Sequence, residues 1–349
     1  ETGRVMAALE EAEKPLICIG GGVFAAHAEN EIRELADLMQ IPVITTMMGI
    51  SVFPDDDQLF CGMIGTHGVK MANAAVNECD VLFLVGARVG DRAVKTPLAL
   101  EKTTKIIHID IDPAEIGKNI GADLPLVGDA KLVLQQMTEL AKPMKHDEWI
   151  AHIKTLGGER KYVEPAKGTV NPRVFIDRLA KKMPANVTVV ADVGQNQIWT
   201  CTEYKFRKEG RLLTSGGMGT MGYSVPAAIG AKMADNSRAT VAICGDGAFQ
   251  MSFMELATAV QFGVDIKVVV MTNNRLGMVR ELQTNGYHDR QTAVFLDGSP
   301  DFIKLAEAYG IPAMRVYDDA TMEKGVEMLA EHKGICLVEV VVDKDMPTL

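Results

Sequence analysis

The stretch ATVAICGDG, residues 239–247, decides the fold of this chain. Its apolar and β-branched residues predict a buried strand that ends at Gly245. Apolar residues then recur at helical spacing from Phe249 to Val260, and a second buried strand is predicted from Ile266 to Met271. A strand, a turn, a helix and a second strand in this order are the building unit of an open parallel sheet.

Asp246 and Asn273 follow the ends of these two strands. Because the carboxyl ends of parallel strands meet at one edge of the sheet, we expect the two side chains to lie side by side. Carboxylate and amide oxygens, together with substrate phosphates, are ligands that Mg²⁺ prefers. The glycines beside Asp246 let a phosphate approach the backbone at a helix N-terminus. An isolated Gly-Asp-Gly is also typical of a plain turn, but the flanking elements favour a site for a diphosphate and a metal.

The length, charge and cysteine pattern of the chain exclude several classes of protein. Its 349 residues are enough for two domains, and its net charge of −10 argues against nucleic acid as the main partner. The sequence has no apolar run of about 18 residues, as a membrane span requires, and we do not expect its first residues to act as a signal peptide. Six scattered cysteines without a CxxC spacing predict reduced core thiols in a cytoplasmic protein.

Strand and helix patterns alternate along the rest of the chain. Strands are predicted at 15–19, 42–46, 81–85, 105–109, 126–129, 187–191, 212–214, 313–316 and 335–342, and helices at 5–13, 25–39, 172–182, 224–233, 301–309 and 322–330. The sequence therefore predicts an α/β protein with two doubly wound parallel-sheet domains, 1–141 and 171–349. The polar segment 142–170, which contains glycine and proline, is predicted to be the linker.

Two further Gly-rich turns follow predicted strands. Gly20-Gly21-Gly22 follows the first strand, but it lacks the GxGxxG spacing and so gives only half of the dinucleotide-binding fingerprint. The run from Gly216 to Gly222 lies between a strand and a helix, and its glycines favour a bound flat ligand over a plain packing turn. Met221 within it offers a large, adaptable apolar side chain.

Acidic residues follow three strands of the first domain. Asp110, Asp112 and Asp129 could hold ribose hydroxyls or an adenine edge at a strand end. They could equally cap the helices that follow them. For Asp112 we favour capping, because Pro113 comes directly after it.

Taken together, these motifs resemble the thiamine-diphosphate enzymes and, within them, the large catalytic subunits of acetolactate (acetohydroxyacid) synthases. The resemblance covers essentially the whole chain. Its second-domain blocks include Gly194-Gln195, Gly219-Thr220-Met221-Gly222 and the Gly-Asp-Gly motif; its first-domain blocks include Gly86-Ala87-Arg88 and His108-Ile109-Asp110. It implies three cofactors: thiamine diphosphate, Mg²⁺ and an FAD without a redox role.

The resemblance also assigns residues to these cofactors. Mg²⁺ would be held by Asp246, Asn273 and the backbone carbonyl of Arg275. Met221 would bend the thiamine, the Gly219 carbonyl would meet its aminopyrimidine, and Met278 would line the reaction pocket. The thiamine diphosphate residues are Val193, Gly194, Gln195, Asn196, Gly219, Met221, Gly245, Asp246, Gly247, Ala248, Asn273, Arg275, Leu276, Gly277 and Met278. The FAD residues are Gly20, Gly21, Gly22, Thr46, Met47, Met48, His67, Gly68, Gly86, Ala87, Arg88, Arg92, Asp110, Ile111, Glu115, Gly128 and Asp129.

The function implied by the resemblance is carboligation in branched-chain amino-acid biosynthesis. Such enzymes condense two pyruvates, or pyruvate and 2-ketobutyrate, to 2-acetolactate or 2-aceto-2-hydroxybutyrate, with loss of CO2. They are homodimers or homotetramers, some of them with a small regulatory subunit.

The sequence departs from the family pattern at several points. Thr272 replaces the first Asn of the family doublet, Asn196 replaces a His, and Leu282 replaces a Trp that favours 2-ketobutyrate. From the resemblance we expect the 349 residues to include neither a counterpart of the pyrimidine-binding domain that carries the catalytic Glu nor the family's lid segment. We therefore expect the 349-residue chain by itself to be inactive.

Three other functions stay open at this point. One is a sister enzyme, either pyruvate oxidase or a 2-keto acid decarboxylase, which the first-domain blocks disfavour. The second is a non-catalytic nucleotide-binding module. The third is a nicotinamide dehydrogenase, which the incomplete Gly-rich fingerprint disfavours.

Overall fold

The computed structural model describes residues 1–158 and 162–349, which form two compact units, Glu1–Arg160 and Lys161–Leu349. Each unit is built on one six-stranded sheet in which every pair of neighbouring strands is parallel. The α/β class and the two parallel sheets predicted from the sequence are confirmed.

The sheet of the first unit has the order β3-β2-β1-β4-β5-β6. Its strands are β1 Pro15–Ile19, β2 Val43–Thr45, β3 Phe60–Met63, β4 Val81–Val85, β5 Lys105–Asp110 and β6 Leu124–Val127. The helices are α1 Thr2–Glu11, α2 Gly22–Ala25, α3 Glu29–Met39, α4 Lys70–Glu78, α5 Pro97–Leu100, α6 Ala130–Leu140 and α7 Asp147–Leu156, with a 3-10 turn at Met47–Gly49. The central strands β1 and β4 are buried along their whole length, as expected for strands covered on both faces.

Glycines bring the ends of β1 and β4 into backbone contact. A Cβ on Gly20 would lie 2.1 Å from the carbonyl oxygen of Gly86, and a Cβ on Gly22 would lie 2.7 Å from the Gly86 Cα. The Gly22 N–H donates to that same carbonyl at 3.0 Å. The Gly-rich turn after β1 is therefore needed for packing inside the unit.

The predicted linker 142–170 includes a helix that packs on the first unit. Within α7, Trp149 is buried and its indole N–H donates to the Pro15 carbonyl at 3.0 Å. Residues 159–161 of that linker lie outside the described residues. The boundaries drawn from the sequence stay a prediction.

The sheet of the second unit has the order β11-β12-β10-β9-β7-β8. Its strands are β7 Thr188–Ala191, β8 Arg211–Thr214, β9 Thr240–Gly245, β10 Lys267–Thr272, β11 Ala313–Val316 and β12 Cys336–Val341. The helices are α8 Pro172–Lys182, α9 Gln195–Glu203, α10 Ser224–Ala234, α11 Asp246–Phe249, α12 Leu256–Gln261, α13 Gly277–Gly286, α14 Phe302–Ala308 and α15 Asp319–Glu331, with a 3-10 turn at Phe253–Glu255.

The structure corrects the sequence prediction at two helices. The helix expected after the Gly-Asp-Gly motif is interrupted between α11 and α12. Periodicity could not show the break, because Phe249 and Leu256 are buried on either side of it and lie two helical turns apart in sequence. The helix expected over 25–39 begins only at Glu29, because His27, whose φ of 51° is left-handed, separates α3 from α2.

Asp112 does not cap a helix, contrary to expectation. Its carboxylate accepts a hydrogen bond from the Ala114 N–H at 2.9 Å, and a turn follows it instead of a helix. Asp129 does cap a helix, since its carboxylate accepts from the Leu132 N–H at the start of α6.

No helix within the described ranges combines the length and the apolar character needed to cross a membrane.

The packing role of Gly20 predicts a specific loss of stability. In Gly20→Ala the new methyl group clashes with the Gly86 backbone, so we expect a loss of about 1–3 kcal/mol in the free energy of unfolding. Denaturant unfolding of the full-length protein that contains this chain measures it. Gly230→Ala is the control, because its Cβ meets nothing within 4 Å in α10 and should be neutral or stabilising. Equal stability of the two variants would show that Gly20 is not needed for packing.

Candidate functional site

The candidate site lies at the carboxyl ends of β7, β9 and β10. Strand β8, which follows β7 in the chain, pairs with one edge of β7, and the next strand, β9, pairs with the other edge. Such a switch in strand order opens a crevice beyond the strand ends, which is where open α/β sheets bind ligands. Here it forms an open cleft with about 570 Å³ of free space, part of it continuous with solvent.

The Asp246 carboxylate is at the centre of this edge and is only 2 % exposed. Its Oδ2 accepts hydrogen bonds from the backbone N–H groups of Asn273 at 3.1 Å and Asn274 at 2.6 Å. Its Oδ1 accepts from the Gly247 N–H at 2.8 Å. The predicted juxtaposition of Asp246 with Asn273 is therefore found, and about one of the four acceptor positions of the carboxylate is left over.

No cationic side chain in the described part of the chain forms an ion pair with Asp246. Burial raises the pKa of Asp246 to about 6, although the N–H groups of Asn274, Gly247 and Asn273 lower it in part. An uncompensated buried carboxylate is costly, and a bound cation would relieve that cost.

The turn after β10 contains Asn273 and Arg275, the two other residues expected to hold the metal. The Asn273 Oδ1 accepts from the Arg275 N–H at 3.0 Å, and Asn274 adopts a left-handed φ of 54°. The Arg275 side chain is held by Asp297 at 2.8 Å and lies 4.7 Å above the Phe295 ring. Asn273 and Arg275 both line the cleft.

A second buried carboxylate, Asp192, attaches the Gly-rich loop to the end of β7. Its oxygens accept from the N–H groups of Gly222 at 3.0 Å and Ser224 at 2.8 Å. The Asn196 amide donates to the carbonyls of Asp192 at 2.8 Å and Ile243 at 3.1 Å, and so joins the ends of β7 and β9. The sequence prediction did not include Asp192 among the site residues, although an Asp after a buried strand is the pattern that identified Asp246.

The apolar wall of the cleft forms around Gly247. A Cβ at Gly247 would lie 2.9 Å from the Leu276 Cδ2 and 3.5 Å from the Met221 Cε. Met221 is thus in the cleft, where a wedge against a cofactor would have to be. Gly219 has a left-handed φ of 65° and does not line the cleft.

Fourteen of the fifteen residues predicted for thiamine diphosphate line this cleft, and Gly219 is the exception. Trp199, Met271 and Val279 complete the lining and were not predicted. Trp199 and Val279 lie in helices whose cleft-facing sides the sequence pattern did not reveal.

Five of the seventeen FAD candidates of the first unit lie at one edge of its sheet. Gly20, Thr46, Gly86, Asp110 and Gly128 each follow the end of a different parallel strand, β1, β2, β4, β5 and β6 in turn, or occupy its last position. Two of the candidates already form hydrogen bonds within the unit. The Asp110 carboxylate accepts from the Asp112 N–H, and the Arg88 carbonyl accepts from the Asn119 side-chain amide.

Cysteine chemistry has no part in the site. All six cysteines are free and buried, and burial raises the pKa of Cys18 and Cys201 to about 12. Within residues 1–158 and 162–349, no group of three or more His, Cys, Asp and Glu side chains is arranged to hold a metal. A metal in the cleft would therefore depend on Asp246, an amide and a backbone carbonyl.

Two family models match the chain, one in each unit. Residues 2–137 match the central domain of thiamine pyrophosphate enzymes, and residues 192–340 match their C-terminal TPP binding domain. The Asp246 cleft lies within the second match.

Named relatives align with nearly the whole chain. A probable acetolactate synthase large subunit of Methanocaldococcus jannaschii is 41% identical over 96% of this chain and 58% of its own length. The acetolactate synthase large subunit of Lactococcus lactis is 36% identical over 96% of this chain and 59% of its own. The acetolactate synthase large subunit of Corynebacterium glutamicum is 40% identical over 88% of this chain and 51% of its own length. The chain thus spans between half and three-fifths of the length of these relatives.

The raised pKa of Asp246 predicts a pH dependence of stability in the cofactor-free protein. Between the ordinary value of 3.8 and about 6 the folded carboxyl keeps a proton that the unfolded one has lost, so its contribution to stability falls as pH rises. Relative to Asp246→Asn, the wild type should lose up to about 1.4 kcal/mol per pH unit in this window.

Unfolding of both proteins at pH 4.5, 5.5 and 7 measures this difference. Gly230→Ala, which changes no titratable group, is the control and should show no such trend relative to the wild type. A constant difference between wild type and Asp246→Asn would contradict the assigned pKa.

Proposed function

The chain belongs to the thiamine pyrophosphate enzymes, and we propose that the protein that carries it is an acetolactate synthase. It condenses two molecules of pyruvate, or pyruvate and 2-ketobutyrate, with loss of CO2. The names of its relatives support this activity over pyruvate oxidase, 2-keto acid decarboxylase and nicotinamide dehydrogenase.

The Asp246 carboxylate carries the proposal for the cofactor site. It is buried, lacks a cationic partner among the described residues, and lies at the N-terminus of a turn that follows a strand. Asp246, Asn273 and the Arg275 carbonyl offer oxygens only, as Mg²⁺ requires, and Mg²⁺ in turn binds diphosphate oxygens. We assign the metal to these three groups.

When bound, thiamine diphosphate supplies an electron sink for the decarboxylated keto acid. The residues of this chain hold and orient it. A side chain at Gly247 would collide with Leu276 in the apolar wall, and Met221 would support the cofactor from that side of the cleft. Met278 lines the same cleft, where the substrate would react. Gly219 lies two residues before Met221 in the chain, and we propose that its carbonyl faces the aminopyrimidine.

We also propose that the first unit holds FAD at the carboxyl edge of its sheet. The observation in support is that candidates from five different strands meet at that edge. The turn at Gly20 and Gly22 packs tightly against the Gly86 backbone. In this proposal it therefore holds the ends of β1 and β4 together and leaves little room for FAD between them.

Assembly and location are proposed on the same basis. We propose a homodimer or homotetramer, with a small regulatory subunit as partner, because relatives are named large subunits. We propose a cytoplasmic location, and the six unpaired buried thiols support it.

The metal assignment predicts the effect of removing the carboxylate. Asp246→Ala in the full-length protein should abolish Mg²⁺-dependent binding of thiamine diphosphate, since direct ligands matter more than outer partners, whose loss costs about 10- to 100-fold. Titration calorimetry with thiamine diphosphate and Mg²⁺ measures it. Asp319→Ala, outside the cleft, should bind as the wild type does. Unchanged affinity of Asp246→Ala would refute the assignment.

The residue at position 282 predicts acceptor preference. Leu282 is 61 % exposed on α13, one turn beyond Met278, and lacks the aromatic surface that the family uses to favour the larger keto acid. One methylene of apolar contact is worth roughly 1–3 kcal/mol of discrimination. Leu282→Trp should therefore raise the ratio of 2-aceto-2-hydroxybutyrate to 2-acetolactate when pyruvate and 2-ketobutyrate compete. Leu282→Ala is the control for loss of bulk alone, and an unchanged ratio in Leu282→Trp would count against this role.

A further inference from the structure

The side-chain amide of Gln195 lies at the centre of a buried hydrogen-bond chain and is 4 % exposed. Its Nε2 is surrounded by acceptors: the Met346 carbonyl at 2.9 Å, the Thr348 Oγ1 at 3.2 Å and a Glu281 carboxylate oxygen at 3.4 Å. Because a backbone carbonyl can only accept, the amide atom that faces Met346 must be the nitrogen. The oxygen of Gln195 therefore faces the other way.

That oxygen accepts a hydrogen bond from the Nδ2 of Asn273 at 3.2 Å. On its other side, the Asn273 Oδ1 accepts from the Arg275 N–H at 3.0 Å. A backbone N–H can only donate, so the atom of Asn273 that faces Arg275 must be the oxygen. Backbone groups of fixed polarity at the two ends thus require the same orientation of both amides.

The Thr348 hydroxyl completes this arrangement. It donates to the Glu281 carboxylate, as does the Thr348 N–H at 3.2 Å, so the hydroxyl oxygen is left to accept from Gln195. Segment 346–348 is itself held in place, because the Trp199 indole donates to the Pro347 carbonyl at 3.0 Å.

Gly277 leaves the space that the Gln195 amide occupies. A Cβ at position 277 would lie 1.9 Å from the Gln195 Oε1. The amide is therefore enclosed as well as hydrogen-bonded, and it cannot turn over without breaking contacts on both sides.

We propose that segment 346–348 and Gln195 form a relay that sets which atom of the Asn273 amide is available to a metal. The inference rests on the proposed Mg²⁺ site. Mg²⁺ binds oxygen ligands, so an Asn273 amide turned over would offer an NH2 group that cannot coordinate it. Thr348 and Gln195 are positioning residues in this account, and they act on the metal through Asn273.

The test uses Mn²⁺ as the probe, bound in the presence of thiamine diphosphate to the full-length protein, with free Mn²⁺ followed by electron paramagnetic resonance. Outer-shell partners of metal ligands typically contribute about 10- to 100-fold to affinity, and we expect that loss in Gln195→Leu. Thr348→Val should lose roughly 3- to 10-fold, as for one neutral hydrogen bond. Thr348→Ser keeps the hydroxyl and should stay close to the wild type.

A double-mutant cycle with Asn273→Asp distinguishes an effect on the orientation of the Asn273 amide from a general loss of structure around the site. A carboxylate offers an oxygen in either orientation, so Thr348→Val should have no effect on Mn²⁺ affinity in that background. Equal losses from Thr348→Val in both backgrounds, or equal losses from Thr348→Ser and Thr348→Val, would overturn the relay. So would wild-type affinity in both Gln195→Leu and Thr348→Val.

Failure of the proposed function would look different. A wild-type protein that binds no Mn²⁺ with thiamine diphosphate would refute the metal site itself, and the relay with it. A wild type that binds Mn²⁺ while the variants bind equally well would refute the relay alone.

Discussion

The carboxylate of Asp246 is the group on which the rest of the site depends, because it is buried at the end of a strand without a cationic partner in the described structure. Three backbone N–H groups hold it in place, two of them from the turn after the neighbouring strand. These hydrogen bonds link the ends of β9 and β10. The negative charge of the buried carboxylate is left without a counter-ion, and a bound cation would stabilise it. The open cleft, its oxygen-only ligands and its apolar wall all lie around this one charge.

Asp192 is a second buried carboxylate at a strand end that accepts hydrogen bonds from the backbone N–H groups of a neighbouring loop. It lies one residue beyond β7 and holds the N–H groups of Gly222 and Ser224, so it attaches the Gly-rich loop to the sheet. The two carboxylates differ in what they bind: Asp192 holds a loop that carries Met221, whereas Asp246 holds the turn that carries Asn273 and Arg275. Together they place the apolar wall and the polar end of the cleft on one sheet edge, which suits a cofactor with a flat ring at one end and a diphosphate at the other.

Most of the fold and the polar centre of the site could be predicted from the sequence. Fully buried strands such as β1 and β4 appear in the sequence as continuous apolar runs, and the helix predicted over 172–182 is α8. The edge strand β3 was missed, because only two of its four residues are buried and it includes Gly62. Contacts between distant parts of the chain, such as Gln195 with Met346, leave no local pattern. The assignment of the glycines after β1 to FAD stays a prediction, and the close packing of Gly20 and Gly22 against the backbone of Gly86 could not be read from the sequence.

The central claim is that Asp246, Asn273 and the Arg275 carbonyl hold the divalent cation that binds the diphosphate of thiamine diphosphate. The most direct measurement is a crystal structure of the full-length protein with Mn²⁺ and thiamine diphosphate, with anomalous diffraction locating the metal. We expect one anomalous peak in the cleft within coordination distance of these three oxygens and of the diphosphate. A peak elsewhere, or a diphosphate bound away from the end of β9, would contradict it.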